Sequence, residues 1–179
     1  MNPNHYLKQV SSGADPLAVD GEYFSLAVKR IVLAADIVTD RILRQTASAT
    51  LVEVSVANRQ DYRMPSGSDD AILIDSDGYQ HCRVYLHSSA SVMSSHRLPS
   101  DMPLPSPACE IEAHARTKGW IAFPLLEDGA VPHRFIYKHD IFSPGESSGT
   151  VLATETLELV FDLTAFGRIL DNQANERST

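Results

Sequence analysis

The sequence has little of what usually marks a catalytic or cofactor-binding chain. Its 179 residues include two cysteines, Cys82 and Cys109, and neither lies in a C-x-x-C motif. Zinc-ribbon and thioredoxin-type readings therefore have no footing. Basic residues are in the minority, 15 Lys and Arg against 23 Asp and Glu, for a formal net charge of −8. An acidic surface repels phosphate, so no nucleic-acid partner is expected. No apolar run approaches the roughly 20 residues that span a bilayer as a helix, so no membrane span is expected. The opening stretch MNPNHYLKQVSSGADP lacks the apolar segment and cleavage pattern of a signal peptide. There is no H-x-x-x-H, no H-E-x-x-H and no G-x-S-x-G. Ser147 and Ser148 sit in a Gly-rich loop with nothing to set triad geometry with His133, His139 or Asp140. Gly145 and Gly149 are followed by no lysine and no helix start, as a phosphate-cradling loop would require. The chain is expected to be non-enzymatic.

What is present is a β pattern. Apolar residues make up 43% of the chain, enough to build one real core. Val52, Val54 and Val56 alternate with Glu53 and Ser55, the mark of a half-buried antiparallel strand. Phe24, Leu26 and Val28 alternate less cleanly. The stretch 34–45 (AADIVTDRILRQ) has helical spacing at Ile37, Val38, Arg41 and Ile42, and reads as a short helix or an irregular connection. A short apolar run from Ala71 meets the turn Asp75-Ser76-Asp77-Gly78, and a second strand follows from Tyr79. Asp-Gly between apolar runs is a strong hairpin signal. Residues 88–107 are dominated by Ser and Pro and show no period, so they read as a long surface connection. A short strand is expected at 111–115, carrying His114, and stronger ones at 119–126, around Phe135 and Tyr137, and at 157–162. The total is about seven or eight short strands with turn signals between them, which predicts an antiparallel β-sandwich or barrel. Residues 1–20 are expected to be a flexible leader, 21–165 the sandwich domain and 166–179 a flexible tail.

Three segments in this order, VEVSVANR (52–59), ILIDSDGYQ (72–80) and GWIAFPLL (119–126), resemble an immunoglobulin-like domain of unknown function found in bacterial and archaeal surface lipoproteins and secreted proteins. The resemblance implies an immunoglobulin-like sandwich and an extracytoplasmic setting, and it implies no activity. The chain departs from the family pattern in three places: no lipobox or signal segment, a long Ser/Pro stretch, and an extended 142–156 connection. Within the third segment, Trp120 and Phe123 are the expected core anchors. Their spacing of three places them on opposite faces, or at a bulge near Pro124.

Two constellations invite a metal reading. Asp69, Asp70, Asp75 and Asp77 fall within nine residues, and the D-x-D-G pattern resembles the start of a Ca²⁺ loop. The bidentate Glu such a loop needs is missing, because residues 79–86 contain no carboxylate, and a plain hairpin turn is the stronger reading. Seven histidines are scattered, and a transition-metal site would have to be assembled across strands, among His81, His87, His114, His133 and His139. Arg116, Lys118 and Arg134 are a candidate basic patch near Trp120, and Cys82 and Cys109 a candidate disulfide under oxidising conditions. The leading expectation is an immunoglobulin-like module that binds a protein or surface partner through loops or a sheet edge, with 88–107 the suspected loop. The alternatives are a divalent-metal-binding domain and a structural, homo-oligomerising domain.

Overall fold

The alternating valines at 52, 54 and 56 force an extended chain with one dry face, and they lie in the strand with the longest pairing in the molecule. The computed structural model describes residues 6–10, 17–21, 24–65, 70–107, 110–141 and 155–164. Twelve strands are seen among them: β1 (Tyr6–Val10), β2 (Ala18–Asp20), β3 (Phe24–Asp40), β4 (Gln45–Asn58), β5 (Met64–Pro65), β6 (Ala71–Asp75), β7 (Gln80–Cys82), β8 (Ser91–Ser94), β9 (Glu110–Ile111), β10 (Arg116–Pro124), β11 (Pro132–Ile141) and β12 (Glu155–Asp162). Eight of these are four residues or longer, and two of the eight, β1 and β8, fall in stretches where no strand is expected. One sheet has the order β1-β12-β11-β6-β7, and the other β10-β4-β3-β2 with β8 also paired to β3. A small third sheet joins β5 to β9. Pairing is antiparallel except between β1 and β12.

The two large sheets face each other across a buried apolar layer. Val28, Val54, Ile121 and Phe123 come from one sheet and Leu73, Phe135, Leu159 and Phe161 from the other. Phe123 meets Phe135 edge-on at 6.1 Å between centroids, and Phe24 meets Tyr137 at 6.5 Å, an offset geometry that aromatic pairs favour. The mostly-β sandwich is therefore as the alternation predicts.

The helical spacing at 34–45 has a different origin. β3 runs unbroken to Asp40, with no helix. Its register against β4 slips at Val28/Arg30, Val32/Ala35 and Val38/Asp40, each time with one more residue in β3 than in β4. Ala34 sits at φ 50 within the second slip. Each extra residue inverts the alternation, so a strand with bulges mimics a period between two and four. Within 1–20 the described residues include β1, paired in parallel with β12, and β2, paired with β3. The strand expected at 111–115 ends at Ile111, and His114 lies in a turn at φ 55. The expected tail at 166–179 lies outside the described residues.

The largest correction concerns 88–107. This stretch does not skim the surface. It holds β8, and Ala90, Val92, Leu98 and Leu104 are buried with Val32, Ala35, Ile37, Leu51, Trp120 and Ala122 in a second core. Backbone bonds hold it there. Val92 N–H donates to Met102 C=O at 2.9 Å, Leu104 N–H to Ala90 C=O at 2.9 Å, and Trp120 N–H to Pro105 C=O at 2.8 Å. The distal half of the sheet thus closes into a circuit, β10 to β4 to β3 to β8 to 102–105 and back to β10. Trp120 and Phe123 face the second and the first core respectively, so their spacing of three does place them on opposite faces.

Candidate functional site

The Asp-Gly turn folds as expected, with Gly78 at φ 88, a conformation that glycine adopts without strain. Asp75 is 1% exposed. Its Oδ1 accepts the amides of Asp77 at 3.0 Å and Tyr79 at 2.8 Å, and its Oδ2 lies 2.7 Å from Nε2 of His81. Burial pushes this carboxyl up, but the bonds from His81, Tyr79 and Asp77 outweigh it, and the net shift is downward. Both oxygens are thus occupied by the turn itself. Asp70 and Asp77 are exposed, and Asp69 lies outside the described residues. Among the described residues no three His, Cys, Asp or Glu side chains are grouped to hold a metal ion. The Asp75–His81 pair was legible in principle, because the hairpin register sets His81 opposite Leu73, on the face Asp75 shares.

The other histidines form local pairs. His87 Nδ1 is 2.9 Å from Ser89 Oγ, His114 Nε2 is 2.8 Å from Asp61 Oδ1, and His96 Nε2 accepts from Arg97 Nε at 3.2 Å. His133 is exposed and His139 lies in β11. Cys82 is an exposed free thiol, and Cys109 lies outside the described residues, as do Ser147 and Ser148. The proposed basic patch does not form as a unit, because Arg134 lies on β11 in the opposite sheet from Arg116 and Lys118. The cation at Trp120 is instead Arg30, 5.6 Å from the ring and held by Glu53 at 3.2 Å.

The arrangement with the plainest capacity to bind lies at the tip of the β3–β4 hairpin. Asp40 Oδ1 accepts the amides of Ile42 at 2.7 Å and Leu43 at 3.1 Å, fixing the turn. Arg41 reaches across to Ser91 Oγ, at 3.2 Å from Nε and 3.0 Å from Nη2, and to Asp101 at 3.5 Å. Its amide donates to Ser89 Oγ at 3.2 Å. The tip is therefore tied to the closing segment, yet Ile42 is 76% exposed and Leu43 65%. Beside it opens a cleft of 660 Å³, walled by the hairpin arms (Asp40, Gln45, Ala47) and by the crossing chain at Val84, Tyr85 and Leu86. Val84 N–H donates to Ala122 C=O at 2.7 Å and His87 N–H to Thr39 C=O at 3.2 Å, which pins that crossing chain at both ends. Tyr85 is exposed, with the Arg83 guanidinium 4.6 Å from its ring centroid. β10 pairs β4 from Ala49 onward, so among the described residues Gln45–Ser48 is paired on one side only.

The sequence does not point to this site. The stretch holding Ile42 reads as a short helix or an irregular connection, and 41–44 is the turn that connects β3 to β4, while the suspected loop covers the second core. The signal that was present is the pair Ile42-Leu43 between two arginines and next to Asp40, a turn-former, in a chain whose other apolar runs are followed by polar turns.

No protein-family model matches the sequence, and no curated protein matches it. Solved structures of similar course are distant in sequence. A secreted protein of Mycobacterium tuberculosis, MPT63, is 10% identical, with a TM-score of 0.47 over 90% of this chain and 99% of its own. A putative lipoprotein of Bacillus subtilis, ycdA, is 13% identical, with a TM-score of 0.43 over 82% of this chain and 38% of its own. The yjhA protein of Bacillus subtilis is 8% identical, with a TM-score of 0.43 over 79% of this chain and 95% of its own.

Proposed function

We propose that the chain is a non-enzymatic, immunoglobulin-like binding module that engages a polypeptide partner through the β3–β4 hairpin tip and the cleft beside it. The observation that carries this reading is the tip itself: two adjacent aliphatic side chains, 76% and 65% exposed, on a turn fixed by Asp40 and anchored by Arg41. A rigid apolar protrusion loses little conformational freedom when it is covered, so most of the burial energy goes into binding. Exposed apolar groups of this kind beside a concave wall are the usual composition of an interaction surface. The resemblance of the 52–59, 72–80 and 119–126 segments to domains of surface and secreted proteins supports an extracytoplasmic setting for this role.

A photo-reactive residue in place of Tyr85, on the cleft wall, tests the reading in cells that make the protein. A discrete crosslinked adduct is expected, and Leu43→Asp should abolish it. Absence of any adduct, or an adduct indifferent to Leu43→Asp, would overturn the module.

A further inference from the structure

We infer that the occupant of this site is a second copy of the same chain, paired about a two-fold axis so that each hairpin tip enters the other's cleft. The inference rests on the binding-module reading and names its partner. Three features of the tip are self-complementary. The first is apolar: the protruding Ile42 and Leu43 stand beside a cleft whose walls include Ala47, Val84 and Leu86. Protrusion and receptor lie side by side on one surface, which is the arrangement an isologous contact requires, since each patch must meet its own copy.

The second feature is charge. Arg41 is taken by Asp101, but Arg44 is exposed and has no ion-pair partner among the described residues. Asp40 spends Oδ1 on the turn amides and leaves Oδ2 unpartnered among the described residues, on the rim of the cleft. Arg44 of one copy and Asp40 of the other then form two equivalent ion pairs across the axis. This local match offsets the repulsion expected of two chains of formal net charge −8, which salt screens at longer range.

The third feature is the strand edge. Gln45–Ser48 is exposed, paired on one side, and contains no charge and no proline. Proteins commonly protect such an edge with lysine or proline, and Gln45–Ser48 carries neither, although the Val38/Asp40 bulge of β3 lies on its paired side. An antiparallel edge-to-edge pairing is two-fold symmetric by nature, so the same axis serves the edge and the tip.

The contact is small, and a weak dimer is expected, with Kd on the order of micromolar to tens of micromolar. Sedimentation velocity of the full chain, across a concentration series spanning that range, reads it directly. A monomer–dimer equilibrium is expected. Ile42→Asp with Leu43→Asp should raise Kd by about tenfold or more, while the thermal midpoint stays put. Arg44→Glu should raise it less, and added salt should erase the difference between Arg44→Glu and the parent. Tyr79→Ser, a change of exposed aromatic on the β6–β7 turn, should leave Kd unaltered. A dimer indifferent to both tip variants would overturn the inference, because another surface would then hold it. A chain that stays monomeric throughout would also overturn it. In that case a Tyr85 adduct with the mass of an unlike protein would keep the module, and no adduct at all would remove both.

Discussion

The two cores of this molecule are built from the same strands and differ in what covers them. The first lies between two sheets, and its walls are chiefly the dry faces of strands, with Leu126, Ala130 and Leu163 added from the connections. The second lies on the other side of β3, β4 and β10, and its lid is the Ser/Pro-rich segment 88–107. A sheet buries its inner face by stacking on another sheet, which needs only alternation. A lid of irregular chain must satisfy its own backbone, and here it does so by bonding to β8 and to the free edge of β10. Serine and proline therefore do not signal exposure. Where a few aliphatic residues are interspersed and backbone partners are within reach, the same composition makes a lid.

Changes on one strand test this contrast most sharply. Phe123→Ala and Trp120→Ala remove large side chains from opposite faces of β10, and each should cost about 3–5 kcal/mol by denaturant unfolding. Phe123→Ala should loosen the whole sandwich. Trp120→Ala should first raise amide exchange in 90–105, with β6 and β11 still protected. Uniform loss of protection in both variants would mean one cooperative core rather than two. Gly119→Ala comes next. A Cβ there would stand 2.2 Å from Pro107 N, against backbone on both sides of the contact. The lid must lift or the strand must shift, at about 1–3 kcal/mol, and the effect should again be read at 102–107.

The third test addresses a position outside the lid. Asp75→Asn keeps the shape of the turn but removes the charge, and should cost about 1–2 kcal/mol near neutral pH. The folded-state carboxyl sits below its ordinary value, so its contribution is present above the unfolded pKa and is lost as pH falls through the folded one. The gap between Asp75→Asn and the parent should therefore be constant near neutrality and close at acid pH, below about 4. A gap that persists in acid would assign the cost to shape rather than to charge.

The legibility of the sequence follows the same division. The valines of β4, the Asp75–Gly78 turn and the Phe135–Tyr137 strand could be read because period two and turn chemistry are local signals. So could the opposed faces of Trp120 and Phe123. The bulges of β3 could not, since an extra residue leaves no mark of its own and only scrambles the period. Nor could the lid. Ala90, Val92, Leu98, Met102 and Leu104 follow no repeat, and what buries them is hydrogen bonding to strands far off in the chain. The site inherited both failures: its tip follows the last bulge of β3, and its cleft is framed by the crossing chain at 84–87.

The closed circuit of the distal half also bears on the order in which the molecule is made. The β3–β4 hairpin joins Asp40 to Gln45, five positions apart, and its turn is fixed by a side chain next to it in sequence. The seam that completes the circuit joins Asp36 to Ser94, 58 positions apart, and only then can 102–105 reach β10. Loop-closure entropy makes the first a rapid local event and the second a slow one. The apolar tip thus depends on a short local closure, and the second core on a longer one across 58 positions of chain.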